Sequence, residues 1–482
     1  MKKEDKFNIL FVSTTNIQPS LSFGYLISYF KKYSELRDDF CFEIFECERL
    51  LDIIITSPNE IVRKAKKFDV VCFSTITEDY NFILKTSKEI HDAASCKIFF
   101  GGHHISALPE KLPSYVDVGL IGEAEETFKE LLELLARGEF KTKNLKNIDG
   151  IVYHNARKTI ITKKRKMIWP LDNIPPPARE YFSRHHRGKK YWYSMDELAG
   201  KRVGVLSASR GCPFSCIFCD ASLFWNNSIR WFSEERIVDE IKELIEKYEV
   251  DLIKFNDNLG IYNKEKLRKV IELLRKQGLL NRFKVIKYQL RVDLIDDELI
   301  ELLKVFGVRE IALGIETQNK TLLKELKGGK VTPNMNKKVI LKLLKNGFFV
   351  WPEIIVGIPG EDEHSLRETL KITNIKGVLD YHISLLIPYP GTPIWSYAKE
   401  KGLVSDNMDW EELRLELNEK TININVFLST MDKQKFKDII KPYLSKNKRV
   451  LTVSNVKSRF VNGLKLLVTN PRTFYKVMKE IL

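Results

Sequence analysis

Nothing in this chain of 482 residues approaches the run of ~20 apolar residues that a bilayer crossing needs. Its opening, Met1-Lys-Lys-Glu-Asp-Lys-Phe, leads into an apolar strand too short and wrongly flanked for a signal peptide. A cytoplasmic protein with no membrane span is expected. Cysteine is sparse: there are seven, an odd number, and none follows Cys219. That argues against a disulfide framework. Cys41, Cys47, Cys72 and Cys96 sit among apolar or mixed residues and read as small buried hydrophobes. The composition lacks any bias toward disorder, with 44% hydrophobic and 30% charged residues. An acidic excess is missing too. The net charge is +15, and from Met431 to Leu482 there are 13 Lys and Arg against 3 Asp and Glu. Lysine is abundant throughout, so a solvated basic surface is expected and no nucleic-acid partner.

What is present centres on Ser207-Ala-Ser-Arg-Gly-Cys212-Pro-Phe-Ser-Cys216-Ile-Phe-Cys219-Asp220. Three cysteines at spacings of four and three follow Val203-Gly-Val-Leu-Ser, which reads as a buried strand. Iron–sulfur clusters are held by cysteine thiolates, usually four; with three, a cubane keeps one iron open for another ligand. A partial zinc site and unpaired core thiols are the alternatives. Zinc requires a fourth ligand nearby. The nearest upstream histidines, His185 and His186, lie in a polar segment, and no second cysteine pair follows. The spacing favours the cluster.

Residues 1–145 alternate short apolar runs with amphipathic stretches, from Phe7-Asn-Ile-Leu-Phe-Val-Ser to a helix over Glu125–Arg137. Such alternation predicts a doubly wound, Rossmann-like parallel sheet with helices on both faces. Ligands of these sheets bind at the carboxyl ends of the strands. Those ends carry Thr14, Ser74, Thr75, Gly101, Gly102, His103, Gly122 and Glu123. Residues 146–200 read as a connector, with a hairpin around Asn155-Ala-Arg-Lys and a stiff proline-rich stretch from Pro170 to Pro177. Over 201–400, six or so β/α repeats end their strands in polar or small residues: Asn256, Asp257 and Asn258, then Arg291, Glu316 and Gly357. A partial (β/α)6 TIM-like barrel is expected. Residues 401–482 read as a small helical region, with helices over Lys433–Tyr443, Val461–Val468 and a final stretch after Asn470-Pro471.

Cys212-x3-Cys216-x2-Cys219, with Phe218 before the third cysteine, resembles the signature of the radical S-adenosylmethionine (SAM) enzymes. Pro388-Tyr-Pro-Gly-Thr-Pro and Gly314-Ile-Glu-Thr317-Gln318 resemble the same family, whose usual form at the latter is Gly-Ile-Glu-Ser. The resemblance implies that Cys212, Cys216 and Cys219 hold a [4Fe-4S] cluster. In the family, the open iron chelates SAM, and one electron cleaves the sulfonium to a 5′-deoxyadenosyl radical. It also implies SAM contacts from Phe218, Asn256, Asp257, Arg291, Glu316 and Gly357. Phe100-Gly-Gly-His-His-Ile-Ser-Ala-Leu-Pro109-Glu, with Val118–Glu123 and Glu125-Glu-Thr-Phe, resembles the cobalamin-binding domain fused to one class of these enzymes. The Asp-x-His-x-x-Gly motif of other cobalamin domains is lacking. Thr14, Ser74, Thr75, Gly101, Gly102, His103, Gly122 and Glu123 become corrin contacts by the same resemblance, and His104 a loop or supporting residue.

The resemblance implies an enzyme that methylates an unactivated carbon, or phosphorus, through the deoxyadenosyl radical and methylcobalamin. A small-molecule, lipid or peptide substrate and an electron donor such as flavodoxin or ferredoxin go with it. A non-methylating relative, such as an oxidative cyclase or ring-rearranging enzyme, carries the same motifs. A binding protein that has lost catalysis is the reading from another class, and the intact cysteine triad speaks against it.

Overall fold

The computed structural model describes residues 6–14, 20–50, 53–182, 201–414, 416–417 and 422–444. They form two compact units. The first holds the described residues up to 182 together with Asp406–Glu411, and the second holds the rest.

The first unit is built on a seven-stranded sheet. Its strands are β1 (Phe7–Ser13), β2 (Phe40–Glu46), β3 (Val70–Ser74), β4 (Lys97–Gly101), β5 (Val118–Leu120), β6 (Ile151–Asn155) and β7 (Lys158–Ile161), in the order β2-β1-β3-β4-β5-β6-β7. The first five are parallel and the last two antiparallel. The hairpin expected in the connector thus completes this sheet. β1 lies inside the sheet between β2 and β3, and Ile9 to Val12 are wholly inaccessible, as a strand covered on both faces requires. Phe11 meets Phe23 of helix α1 (Leu21–Tyr33) and Phe128 of α4 (Glu125–Ala136) on one face. Lys64 of α2 (Pro58–Ala65) covers Phe45 on the other, with α3 (Tyr80–Ala93) beside α2.

Six parallel strand positions make the second unit. They are β8 (Val203–Leu206), β9 (Leu252–Phe255), the pair β10 (Lys284–Ile286) and β11 (Tyr288–Arg291), β12 (Glu310–Glu316), β13 (Phe349–Val356) and β14 (His382–Leu385). β10 and β11 are one strand interrupted at Lys287, whose φ of 47° breaks the ladder. The orders β8-β9-β10 and β11-β12-β13-β14 are joined by a single bridge, Val285 to Val308. This is the partial β/α barrel the repeats predict.

Its helices form for local reasons. α5 (Glu234–Glu246) starts where Ser233 accepts a bond from the Arg236 N–H, and buries Ile237, Ile241, Leu244 and Ile245 on one stripe. α6 (Lys264–Lys276), α7 (Asp297–Phe306), α9 (Pro333–Lys345) and α10 (Glu363–Leu370) follow the same logic. Between α7 and α9 comes α8 (Lys320–Lys327), a helix that the pattern of strands and helices does not announce. α11 (Pro393–Glu400) and α12 (Lys433–Leu444) close the described chain. Ahead of α12, Glu416–Leu417 pairs antiparallel with Ile422–Asn423, strand where a helical region was expected. The other two C-terminal helices expected from sequence lie outside the described residues.

Ile354, Val356, Ile383 and Leu385 pack with Leu366, Leu370, Phe436 and Ile440 in one outer core. Alternation along a strand then turns Glu353, Ile355, His382 and Ser384 to the barrel interior. Among the described residues, no helix is long and apolar enough to cross a membrane.

Candidate functional site

The cysteine loop is fixed at both ends. On the entry side, Ser209–Gly211 pairs antiparallel with Ile229–Trp231. Gly211 has φ 96°, and a Cβ there would collide with the Ser228 carbonyl oxygen, so only glycine can precede the first cysteine. The buried Asp257 carboxylate accepts from the Ala208 N–H at 3.0 Å and the Ser209 hydroxyl at 2.5 Å. It ties the end of β9 to the start of the loop, and burial pushes its pKa up to about 7. On the exit side, the Ile217 N–H donates to the Leu326 carbonyl of α8 at 3.1 Å. The Ile217 carbonyl accepts from Ile394 of α11 at 3.2 Å, which docks the Pro388–Pro393 loop.

Cys212, Cys216 and Cys219 are half-buried and form no disulfide. Burial raises all three thiols, Cys219 to about 12, while Arg291 and Lys327 pull Cys212 and Cys216 back toward the thiolate. Among the described residues, no three His, Cys, Asp or Glu side chains converge on a point where one metal ion would sit. Tetrahedral zinc needs such convergence. A cubane binds each thiolate to a different iron. Three free cysteines on one short loop are the donor set that holds a [4Fe-4S] cluster with one iron left open, and in that sense they fit it.

Arg291, at the end of β11, reaches the same loop. Its Nη1 donates to Cys216 Sγ at 3.4 Å, and its plane lies 3.8 Å from the Phe214 ring centroid. Nε and Nη2 fork onto the two oxygens of Asp293, at 2.9 and 3.3 Å. Glu316, at the end of β12 with φ 58°, pairs with Lys327 Nζ at 2.9 Å, and Lys327 also donates to the Gly314 carbonyl at 2.9 Å. Gly357, with φ 77°, donates its N–H to Glu361 Oε2 at 2.7 Å. Asn256 donates its backbone N–H to the Leu206 carbonyl at 2.8 Å, holding β9 against β8. Phe218 lies half-buried between Cys216 and Cys219. Arg291 thus touches the cysteine loop directly, and Glu316 holds Lys327, whose charge acts on Cys212 and Cys216, whereas Asp257 braces the loop from behind.

In the first unit, Thr75 is the hub of the strand ends. Its N–H and hydroxyl both donate to the Gly101 carbonyl, at 2.6 and 2.8 Å, and its own oxygens accept from His104 and Ile105. The Gly102 carbonyl accepts from the Ser106 hydroxyl, which accepts from the Gly122 N–H at 2.9 Å. Ser74 stands beside Gly102. The Thr14 carbonyl accepts from Arg49, itself paired with the buried Asp79 at 2.7 Å. Glu123 accepts from the Ile168 N–H at 2.9 Å. His103 is half-buried at the start of the short helix His103–Ala107. His104 is 1% exposed, stacked on Tyr80 at 3.7 Å and met edge-on by Trp410 at 4.5 Å. Its Nδ1 bonds to the Thr77 hydroxyl at 3.0 Å, and burial lowers its pKa to about 3. It is a neutral core residue of this unit.

Residues 206–372 match the family model of the Radical SAM superfamily, and residues 41–132 match that of the B12 binding domain. This chain is a radical SAM protein with a B12-binding domain. As a radical SAM protein it is an enzyme, and its two domains call for a [4Fe-4S] cluster, SAM and cobalamin. It is similar to an uncharacterised methyltransferase of Pyrococcus horikoshii, 28% identical over 364 residues that span 73% of this chain and 74% of the relative. It is also similar to the anaerobic magnesium-protoporphyrin IX monomethyl ester cyclase of Cereibacter sphaeroides, 25% identical over 344 residues. That match spans 70% of this chain but 54% of the cyclase, little more than half its length. The fold is shared with OxsB, a cobalamin-dependent SAM radical enzyme solved with aqua-cobalamin and SAM bound. There the TM-score is 0.67 at 16% identity, covering 96% of this chain and 72% of that one.

Four participants in this radical SAM site escape a reading of the sequence: Phe214, Asp293, Lys327 and Glu361. Only Lys327 leaves a trace. It stands four residues after Leu323, on the buried stripe of α8, where a charge is out of place unless paired.

Proposed function

We propose that this enzyme is a cobalamin-dependent radical methyltransferase acting on an unactivated carbon. The observation that carries the reading is the joining of a B12-binding domain to a radical SAM domain in one chain. When bound, the cluster supplies the electron that cleaves SAM, and the corrin carries the methyl group. Cys212, Cys216 and Cys219 would hold the cluster. Asp257, Leu326 and Ile394 keep their loop in place, Arg291 and Lys327 set positive charge beside it, and the turn at Gly357 would lie beside the adenine. In the first unit, Thr14, Ser74, Thr75, Gly101, Gly102, His103, Gly122 and Glu123 would face the corrin.

The barrel interior supports a polar small molecule over a lipid. Gln289 Nε2 donates to Glu353 Oε1 at 3.0 Å there, in register with Arg291, Gly314 and His382. A hydrocarbon there would strip water from the half-buried Gln289 and Glu353 while offering no polar group of its own. A small one-electron carrier such as flavodoxin or ferredoxin would reduce the cluster. We place the protein in the cytoplasm, in keeping with seven free cysteines.

The test is anaerobic incubation of the reconstituted enzyme with SAM labelled at its methyl group, cobalamin and reductant. Label should appear on the corrin, together with 5′-deoxyadenosine. Deoxyadenosine without labelled methylcobalamin removes the methyltransferase and leaves a non-methylating enzyme, the activity that the name of the Cereibacter relative carries.

A further inference from the structure

Arg291 is expected to contact SAM, and its side chain has a second set of neighbours. It forks onto Asp293, lies over the Phe214 ring and donates to the sulfur of Cys216. The side chain is buried, so its geometry is set by protein and not by water. The fork on Asp293 uses Nε and Nη2 and holds the guanidinium over Phe214, its Cζ 3.8 Å from the ring centroid. That leaves Nη1 aimed at one of the three cysteine sulfurs. A bidentate fork of this kind is the way a protein fixes an arginine when direction matters.

We propose that Arg291 is a positioning residue that sets the reduction potential of the cluster through its N–H bond to Cys216, with Asp293 moderating its charge. The inference rests on the cluster assignment above and not on the methyltransferase reading. The reasoning is electrostatic. One electron from an external reductant adds one negative charge to the cluster, and part of it spreads onto the cysteine sulfurs. A cationic donor at a sulfur stabilises that reduced form more than the oxidised one, and such bonds together with local charge set the potential of iron–sulfur centres. Asp293 has a second effect. Its carboxylate, forked onto the guanidinium, offsets the arginine's charge, so the pair acts chiefly through the directed N–H. Lys327 adds positive charge without a bond to sulfur, since its ammonium is taken by Glu316 and the Gly314 carbonyl.

Two substitutions should therefore move the potential in opposite directions, which a merely structural role would not do. Arg291→Met keeps bulk over Phe214 and removes the donor. Asp293→Asn keeps the arginine and removes the charge that offsets it. The measurement is an EPR-monitored redox titration of the full-length reconstituted enzyme, without SAM, using dithionite and mediators, with iron and labile sulfide counted for each variant. In Arg291→Met the ratio of reduced to oxidised cluster at a fixed potential should fall about tenfold, equal to about 59 mV for one electron. In Asp293→Asn it should rise. If Arg291→Met does not keep its cluster, Asp293→Asn alone decides. An unchanged potential in Arg291→Met with full iron content overturns the proposal, and so does a fall or no change in Asp293→Asn. Repeating the titration with SAM separates this role from a SAM contact: a loss of SAM affinity with no change in the SAM-free potential would also overturn it.

Discussion

Lys327→Met is the substitution from which the barrel should suffer most without any atom of the cysteine loop being touched. The Lys327 side chain is 2% exposed and that of Glu316 9%, and their charges are 2.9 Å apart. Coulomb's law at that distance, with an effective dielectric of about 20, gives roughly 6 kcal/mol of attraction. Desolvation of the two ions offsets much of it, so the pair contributes little net stability. Breaking it is another matter. Methionine strands the Glu316 carboxylate in a buried site and frees the Gly314 carbonyl, and loss of one partner of such a pair costs about 3–5 kcal/mol. At ~2–4 °C per kcal/mol for a unit of this size, Tm should drop by about 6–20 °C. The double variant Glu316→Gln with Lys327→Met leaves two neutral side chains and should be less damaged than Lys327→Met alone. Urea unfolding of the apo protein, followed by tryptophan fluorescence, reads these two variants and the Glu316→Gln single. A loss below about 1 kcal/mol in Lys327→Met, or a double variant as unstable as the sum of the singles, would refute the reasoning.

Further expectations are as direct. In Gly357→Ala the new Cβ lies 2.5 Å from Leu385 Cδ1 at a φ of 77°, so strain and overpacking should together cost about 2–4 kcal/mol and weaken SAM binding, checked by denaturation and calorimetry. Burial holds the His104 pKa at about 3 against 6.5 for a free imidazole, so the unfolded chain binds its proton first as pH falls. Its contribution is fully present above pH 6.5 and is lost, at about 1.4 kcal/mol per pH unit, down to pH 3; the wild-type curve should be steeper than that of His104→Leu over this window, and equal slopes would count against a buried neutral imidazole. Trp410→Ala should open the same stack, raise the His104 pKa toward 6.5 by NMR titration and destabilise the first unit by about 3–5 kcal/mol. Replacing Cys212, Cys216 and Cys219 together by alanine should abolish the cluster and deoxyadenosine formation while cobalamin still binds; loss of cobalamin as well would mean that the two cofactor sites are not independent.

What the sequence made legible follows from the range of the forces involved. Alternating apolar runs determine strands such as β1 and helices such as α5 locally, so both sheets could be read. The cysteine spacing is local too. Asp257 illustrates the limit: its position at the end of β9 was readable, but its bonds run to Ala208 and Ser209, 49 and 48 residues earlier. Lys327 escaped for the same reason, since it meets Glu316 and Gly314, 11 and 13 residues earlier, only once α8 has packed back on β12; Asp293 is only two residues from Arg291, but an Arg-x-Asp spacing does not by itself show that the two side chains fork onto each other. The break at Lys287 left no mark either, because a positive φ at lysine is imposed by its surroundings and not by its own preference.

The return of Asp406–Glu411 to the first unit has a consequence for how this protein can be divided. Trp410 covers His104 and Tyr80, and Asn407 accepts a bond from Lys111 at 2.9 Å. A fragment cut at residue 182 would therefore carry every strand of the sheet and still lack one wall of its interior. The B12-binding unit is borrowed in part from sequence that lies beyond the barrel strands. End-to-end exchange of the two modules with those of a relative would exchange an incomplete piece unless the six residues travel with it.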